Sequence, residues 1–351
     1  MSTLADLVSQ HQDDRIALGN RLGVRLMGLW RTVPLQNLDA GWNVVAPQMV
    51  QQVTAFQRSA AVQAVTFSGA LDSHYGYQAP KTMLNVDALT NVMGDGREVA
   101  PALYGAVTNT KTLIGGGVQP ARAFESAAHF VAVLAQAAIQ DMGRNADRAI
   151  AGGKQYTRYI RVANGSCCSR CAILVGMYSA EEAFRRHVSC QCSTVAITES
   201  GKVPKDIPTD PQALFDSLSK AEQDRRFTNA GAEAIRAGAD PVAVVNARRG
   251  AYGIGYSGHS TLPNPARSVL RPITIGVKAD GTPLRVYATV EGTTARGAFG
   301  RSELRATAQA SKDGRYRRTT TVRLLPEQIV KMAGGNPERM RDLLTKYGYI
   351  N

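Results

Sequence analysis

The sequence predicts an α+β chain that is predominantly helical, and three observations predict it. Apolar residues recur every three or four positions through most of residues 1–151, the spacing of one helical face. After Gly152-Gly153 the pattern shortens to alternating, β-like runs. All five cysteines then fall between Cys167 and Cys192, with His187 among them. A chain of 351 residues with 44% apolar content is long enough for two or three domains with real cores, which excludes wholesale disorder.

Leu22, Leu26, Leu29, Trp30 and Val33 form the first stripe, and Pro34 ends it. A second helix is expected from Pro47 through Val53, Phe56 and Ala60 into the 60s, and a third is expected to begin near Pro80 to Asp87. Gly115-Gly116-Gly117 breaks the chain before a fourth helix, Pro120 to about Ala151, whose stripe is Phe124, Ala127, Val131, Leu134, Ala138 and Met142. Its many alanines allow close packing.

Tyr156–Val162 reads as a short strand and Ser193–Thr198 as another. Between them Ser179 and Glu182 have the spacing of a helix cap. A proline-punctuated linker, 203–211, leads into a polar helix, Pro211 to Ala230, followed by a short helix from near Gly231 and a capped start at Asp240-Pro241. Residues 250–268, rich in Gly, Ser, Pro and Asn, read as irregular, and Val286–Val290 as a strand. Pro326–Ala333 and Pro337–Lys346 are expected as two short helices, each opened by a proline, with Gly334-Gly335 between. The expected organisation is a helical region over 1–151, a Cys/His-pinned α+β unit over 152–200, a helical linker and irregular region over 201–290, and a basic module over 291–351.

The cysteine segment reads C-C-x-x-C, then a spacer, then H-x-x-C-x-C. Cys168-x-x-Cys171 has the gap of a zinc knuckle, which lets two thiolates reach one ion from a tight turn. His187, Cys190 and Cys192 can complete a tetrahedron from a second turn. Six candidate ligands compete for four places; the spacing favours Cys168, Cys171, His187 and Cys190, with Cys167 and Cys192 as alternates, around one structural zinc. A pair of buried thiols, one disulfide bracing a turn, or a Cys-His nucleophile are the other readings. An intracellular chain with an odd number of cysteines points to thiols and zinc over disulfides. A metal or sulfur cluster would here substitute for the core that some fifty residues cannot otherwise build.

The block Tyr159-Ile160-Arg161-Val162, Gly165-Ser166-Cys167-Cys168-Ser169-Arg170-Cys171 and His187-Val188-Ser189-Cys190-Gln191-Cys192 resembles the signature of the phage Mu F-like minor head proteins. More closely, it resembles the actinobacteriophage head proteins labelled minor capsid protein or capsid maturation protease. Gln191 stands where that family commonly has Arg or Thr, and Val188 where the Mu-like pattern often has Pro. The likeness extends to Leu38-Asp39-Ala40-Gly41-Trp42, Glu291-Gly292-Thr293-Thr294, Leu325-Pro326-Glu327-Gln328-Ile329 and Tyr347-Gly348-Tyr349-Ile350. The resemblance implies a minor capsid protein at the portal vertex or inner capsid surface, with the portal protein and the major capsid or scaffolding protein as partners and a role in head assembly or DNA entry. It implies location in the virion, and in the host cytoplasm during assembly. Its enzymatic alternative is a capsid maturation protease.

Charge is divided unevenly. Residues 1–150 hold eleven basic and eleven acidic side chains, residues 151–351 thirty and seventeen, so all of the +13 lies in the second part. The densest basic stretch comprises Arg296, Arg301, Arg305, Lys312, Arg315, Arg317, Arg318 and Arg323, suited to packaged DNA or an acidic protein surface, or else a solvated segment that maintains solubility. Gly255-Tyr256-Ser257-Gly258-His259 has the outline of a nucleophile elbow, with His259 in place of the second outer glycine; Ser257 and His259 are the residues a protease would use. The sequence contains no phosphate loop, dinucleotide fingerprint or H-E-x-x-H motif. No apolar run approaches eighteen residues, and Met1–Arg15 is too polar and acidic for a signal peptide, so neither a spanning helix nor membrane partners are expected.

Overall fold

The computed structural model describes residues 3–78, 80–81, 83–163, 167–187, 190–197, 204–247, 270–277, 281–289, 309–310, 317–318 and 323–350. They divide into two units, one of residues 1–167 and 175–209, the other of residues 168–174 and 210–351. Helix predominates in both, as the periodicity requires.

In the first unit four helices build the core: α1 (Leu4–Trp30), α2 (Leu38–Tyr75), α3 (Val99–Gly115) and α4 (Pro120–Gly153). Helix α4 packs against the other three. Leu22, Leu26, Trp30, Val53, Leu103, Val131 and Ile139 are buried between them. Each such aliphatic side chain contributes on the order of 1.5–3 kcal/mol when fully removed from water. Trp30 stacks on Phe124 at 5.0 Å and donates its indole N–H to the Phe124 carbonyl at 3.1 Å, so its polar atom is satisfied inside the core.

Two boundaries differ from the expectation. Helix α2 starts at Leu38, capped by the Asn37 side chain, and runs through Pro47. Pro47 lies on the exposed face, while Trp42, Val45 and Met49 on the other face are buried. A missing N–H on the solvent side is the variety of defect a packed helix tolerates. The third helix, expected to begin near Pro80 to Asp87, begins instead at Val99; a single 3₁₀ turn, Asp87–Leu89, precedes it.

A three-stranded antiparallel sheet follows, ordered β2-β1-β3: β1 (Arg158–Val162) in the centre, β2 (Gly176–Ser179) and β3 (Ser193–Ile197) outside. Alternation sends Ile160 and Val162 of β1, with Val195 and Ile197 of β3, into an apolar cluster with Leu4 and Val8 of α1 and Phe67 and Leu71 of α2. Arg161 consequently points to the opposite face, toward the cysteine loop. Ser179 and Glu182 make the reciprocal bonds of a cap, Ser179 N–H to Glu182 Oε2 at 3.0 Å and Glu181 N–H to Ser179 Oγ at 3.3 Å, yet Ser179 ends a strand and no helix follows. The residues after Glu182 are drawn off by tertiary bonds before a second turn can form.

In the second unit the polar helix expected over Pro211–Ala230 is broken. Helix α5 (Ser169–Ala172) is one turn; α6 (Pro211–Ser217), α7 (Lys220–Phe227), α8 (Asn229–Arg236) and α9 (Pro241–Ala247) follow. Ser219 and Glu222 form a capping box that restarts the chain as α7, and Thr228, at φ +65°, starts α8. Strands β4 (Leu270–Val277), β5 (Pro283–Thr289) and β8 (Arg323–Leu324) form an antiparallel sheet in the order β4-β5-β8, and β6 (Gln309–Ala310) pairs with β7 (Arg317–Arg318). Helices α10 (Pro326–Ala333) and α11 (Pro337–Lys346) stand where the two prolines placed them. The buried Tyr349 secures this end, donating its hydroxyl to Leu324 O at 2.7 Å and accepting Asp240 N–H at its carbonyl at 2.8 Å.

Candidate metal centre

The loop 190–192 precedes β3 and is held by its backbone. Arg144 of α4 donates Nη1 to the carbonyls of Cys190 (2.9 Å) and Cys192 (3.0 Å), and Gln12 of α1 donates its amide to Gln191 O at 2.6 Å. Three successive carbonyls are thereby fixed by side chains from two helices, and Arg144 itself is anchored on Asp141 at 2.5 Å.

In extended backbone, residues two apart project to the same side. The sulfurs of Cys190 and Cys192 accordingly share one partner: Arg161 Nη2 lies 3.6 Å from each. Arg161 is 2% exposed, sits over the Phe184 ring at 4.3 Å and donates Nη1 to Arg185 O. A buried guanidinium therefore stands against both sulfurs.

Ligand atoms of Cys171, Cys190 and Cys192 lie within 4.8 Å of one another, and those of Cys168, Cys171 and His187 do likewise. The segment thus carries Cys/His groups positioned to bind a metal ion. Cys171 belongs to both triads, so the four residues that spacing favoured are distributed over two groups that meet at one thiol. Cys171, Cys190 and Cys192 are buried; Cys168 and His187 are exposed. Cys167 is buried and belongs to neither triad. No disulfide links any of the five cysteines.

The donor set fits a metal: three soft, buried sulfurs and the imidazole of His187.

Sequence reasoning missed Gln12, Asp141, Arg144 and the role of Arg161. The signal available was Asp141 and Arg144 at i, i+3 on an alanine-rich helix, a pair that invites a search for what they face. Burial pushes the Arg144 pKa down, against the opposing pull of Asp141 and Cys190. Of the basic stretch, Arg317 and Arg318 lie on β7 and Arg323 on β8; Arg296, Arg301, Arg305, Lys312 and Arg315 lie outside the described residues, as do Ser257 and His259 and the irregular run 250–268. No helix among the described residues is long and apolar enough to cross a membrane. No family model, no curated protein and no solved structure matches the chain.

Proposed function

We propose that the chain is a minor capsid protein of a tailed phage, bound at the portal vertex or inner capsid surface and serving head assembly or DNA entry. The observation that carries this reading is the Cys/His segment: the residues on which the likeness to Mu F-like head proteins rests are those whose ligand atoms form the two triads. The charge division supports it, a neutral helical part suited to contacts with portal, capsid or scaffolding protein and a basic part suited to packaged DNA.

Within this reading the metal is zinc and its role is structural. Cys171, Cys190 and Cys192 supply three thiolates and His187 or Cys168 the fourth donor. Three thiolates on a dication leave one negative charge if His187 is fourth, and the buried Arg161 stands ready to offset it.

The test is direct. Proheads and mature particles of the encoding phage, probed with a labelled antibody, should show the chain at one vertex or on the inner shell, and absence from both particle types rejects the proposal. Freshly purified protein should carry about one zinc per chain, with loss in Cys171→Ser and Cys192→Ser. Incubation with the major capsid protein of the same phage should leave it intact; discrete cleavage abolished by Ser257→Ala or Cys168→Ala would replace this reading with the protease. Binding of the full chain to DNA should weaken steeply with salt if the basic part contacts the packaged genome.

A further inference from the structure

Beside the cysteine loop, within the first unit, lies a separate cavity of about 180 Å³ that opens to solvent. Its charged lining is Asp141, Arg144, Arg148 and Arg186, with Asn145 and Phe184 completing the wall. Three guanidiniums face one carboxylate. That carboxylate is already engaged: Asp141 Oδ1 accepts Arg144 Nη2 at 2.5 Å and pairs with Arg186 Nε at 2.8 Å. On its other side the backbone of Gly94 presses so close that a Cβ there would stand 2.0 Å from Asp141 Oδ2, so glycine is what permits the approach. The nearby Glu182 carboxylate is also engaged, accepting the Ser179 N–H at 3.0 Å.

The cations are held in place and retain donors. Arg144 is locked by two carbonyls and Asp141, and Arg148 by the carbonyls of Ala180 (2.9 Å) and Glu182 (3.0 Å) through Nη2. Arg186 meets Asp141 through Nε, so this ion pair does not use its two terminal nitrogens, and its side chain is partly exposed. Pre-positioned guanidinium forks match the oxygens of a tetrahedral anion, and their fixed geometry removes the ordering cost of binding. A surplus of two positive charges calls for a dianion.

We propose that this cavity binds a phosphate-class oxyanion, with Arg144, Arg148 and Arg186 as its cationic donors and the Asn145 amide as a neutral one. Asp141 orients two of the arginines and does not itself contact the anion. Free phosphate and the phosphate groups of a nucleic-acid strand share this chemistry. The inference does not rest on the head-protein reading.

Calorimetric titration of the full chain with inorganic phosphate, in a chloride buffer of constant ionic strength, tests it. Saturable binding is expected at millimolar concentration or below. Arg186→Ala should weaken it about tenfold or more, as expected for one lost charge-assisted hydrogen bond. Arg339→Ala, an exposed change in α11, should leave it unaltered. Arg148→Gln should weaken binding comparably, and if that variant fails to fold, Arg186→Ala decides, because its side chain is partly in solvent. Competition by a short single-stranded oligonucleotide, lost in Arg186→Ala, assigns the site to a nucleic-acid strand; failure to compete assigns it to the free ion. Absence of saturable binding, or equal binding by wild type and Arg186→Ala, overturns the proposal.

Discussion

From Ala123 to Ala138, helix α4 buries alanine and valine; from Gln140 to Asp147 the same helix buries glutamine, aspartate and arginine. The first half meets helices on one side and is satisfied by shape alone, with Ala127, Ala128, Val131 and Ala135 fully buried. In the second half, Arg144 and Asp147 take partners from far along the chain. Asp147 pairs with Arg15 at 2.6 Å and His11 at 3.2 Å, His11 stacks on Phe67 at 4.0 Å, and Arg144 reaches the carbonyls of Cys190 and Cys192. Gly143 lies against Arg15, where a Cβ would come within 2.3 Å of the guanidinium. Its helix-propensity cost of about 1 kcal/mol relative to alanine is the condition for that contact. One helix is thus a packing element at its start and a scaffold for the functional region at its end, because buried charge transmits position more strictly than alanine does.

The comparison can be broken most severely at Asp147. Asp147→Ala leaves the fully buried Arg15 charge without its carboxylate, and unfolding in denaturant should report a loss of about 3–5 kcal/mol. A loss under about 1 kcal/mol would mean that Arg15 is neutralised some other way. In the apolar half, Ala135→Leu overpacks a site with no exposed surface and should cost about 1–3 kcal/mol, while leaving any bound metal in place by elemental analysis. Gln140 reverses the sign. It is 1% exposed and neither amide atom has a hydrogen-bond partner, so Gln140→Met, similar in volume, should raise stability by about 1 kcal/mol.

The smallest expected effect is on pH dependence. Burial first, and Arg15 beside it, hold the His11 pKa below its ordinary 6.5 despite the attraction of Asp147. Burial pushes Asp147 up, but Arg15 and His11 more than reverse this and hold it below its ordinary 3.8. For both groups the unfolded chain binds its proton at a higher pH than the folded one, so stability is present above the unfolded pKa and lost as pH falls. The His11 contribution should therefore decline from about 6.5 downward and that of Asp147 from about 3.8 downward. His11→Gln should remove the first decline and keep the second, as followed by thermal unfolding across pH; a slope near pH 6 that survives the change would assign it to another group.

Which features were legible follows the same division. The stripe Leu22, Leu26, Trp30, the alanine face of α4, the strands around Tyr159 and Ser193, and the proline-opened helices α10 and α11 could be read because each depends on residues close in sequence. The start of α2 at Leu38, the break at Ser219 and the strand at Gly176–Ser179 could not be read in that way. At each, a local signal was present, but packing elsewhere decided whether it was used: Pro47 is overridden by the buried face of α2, and the Ser179 cap bonds form without a helix. The candidate metal-binding segment was legible as a set of residue types, while its division into two triads sharing Cys171 was not.

The sequence by itself determined that the chain would be mostly helical, that thiols and one imidazole would be concentrated in a single segment, and that the charge would lie in the second part of the chain. Tertiary structure alone decided that Arg161 would stand against two of those thiols, that Gln12 and Arg144 would grip the loop carrying them, and that Asp141 would set two of the three arginines that line a cavity. The reason is physical: periodicity and turn chemistry act over a few residues, whereas a buried ion must be satisfied by whatever folding brings within about 3 Å of it.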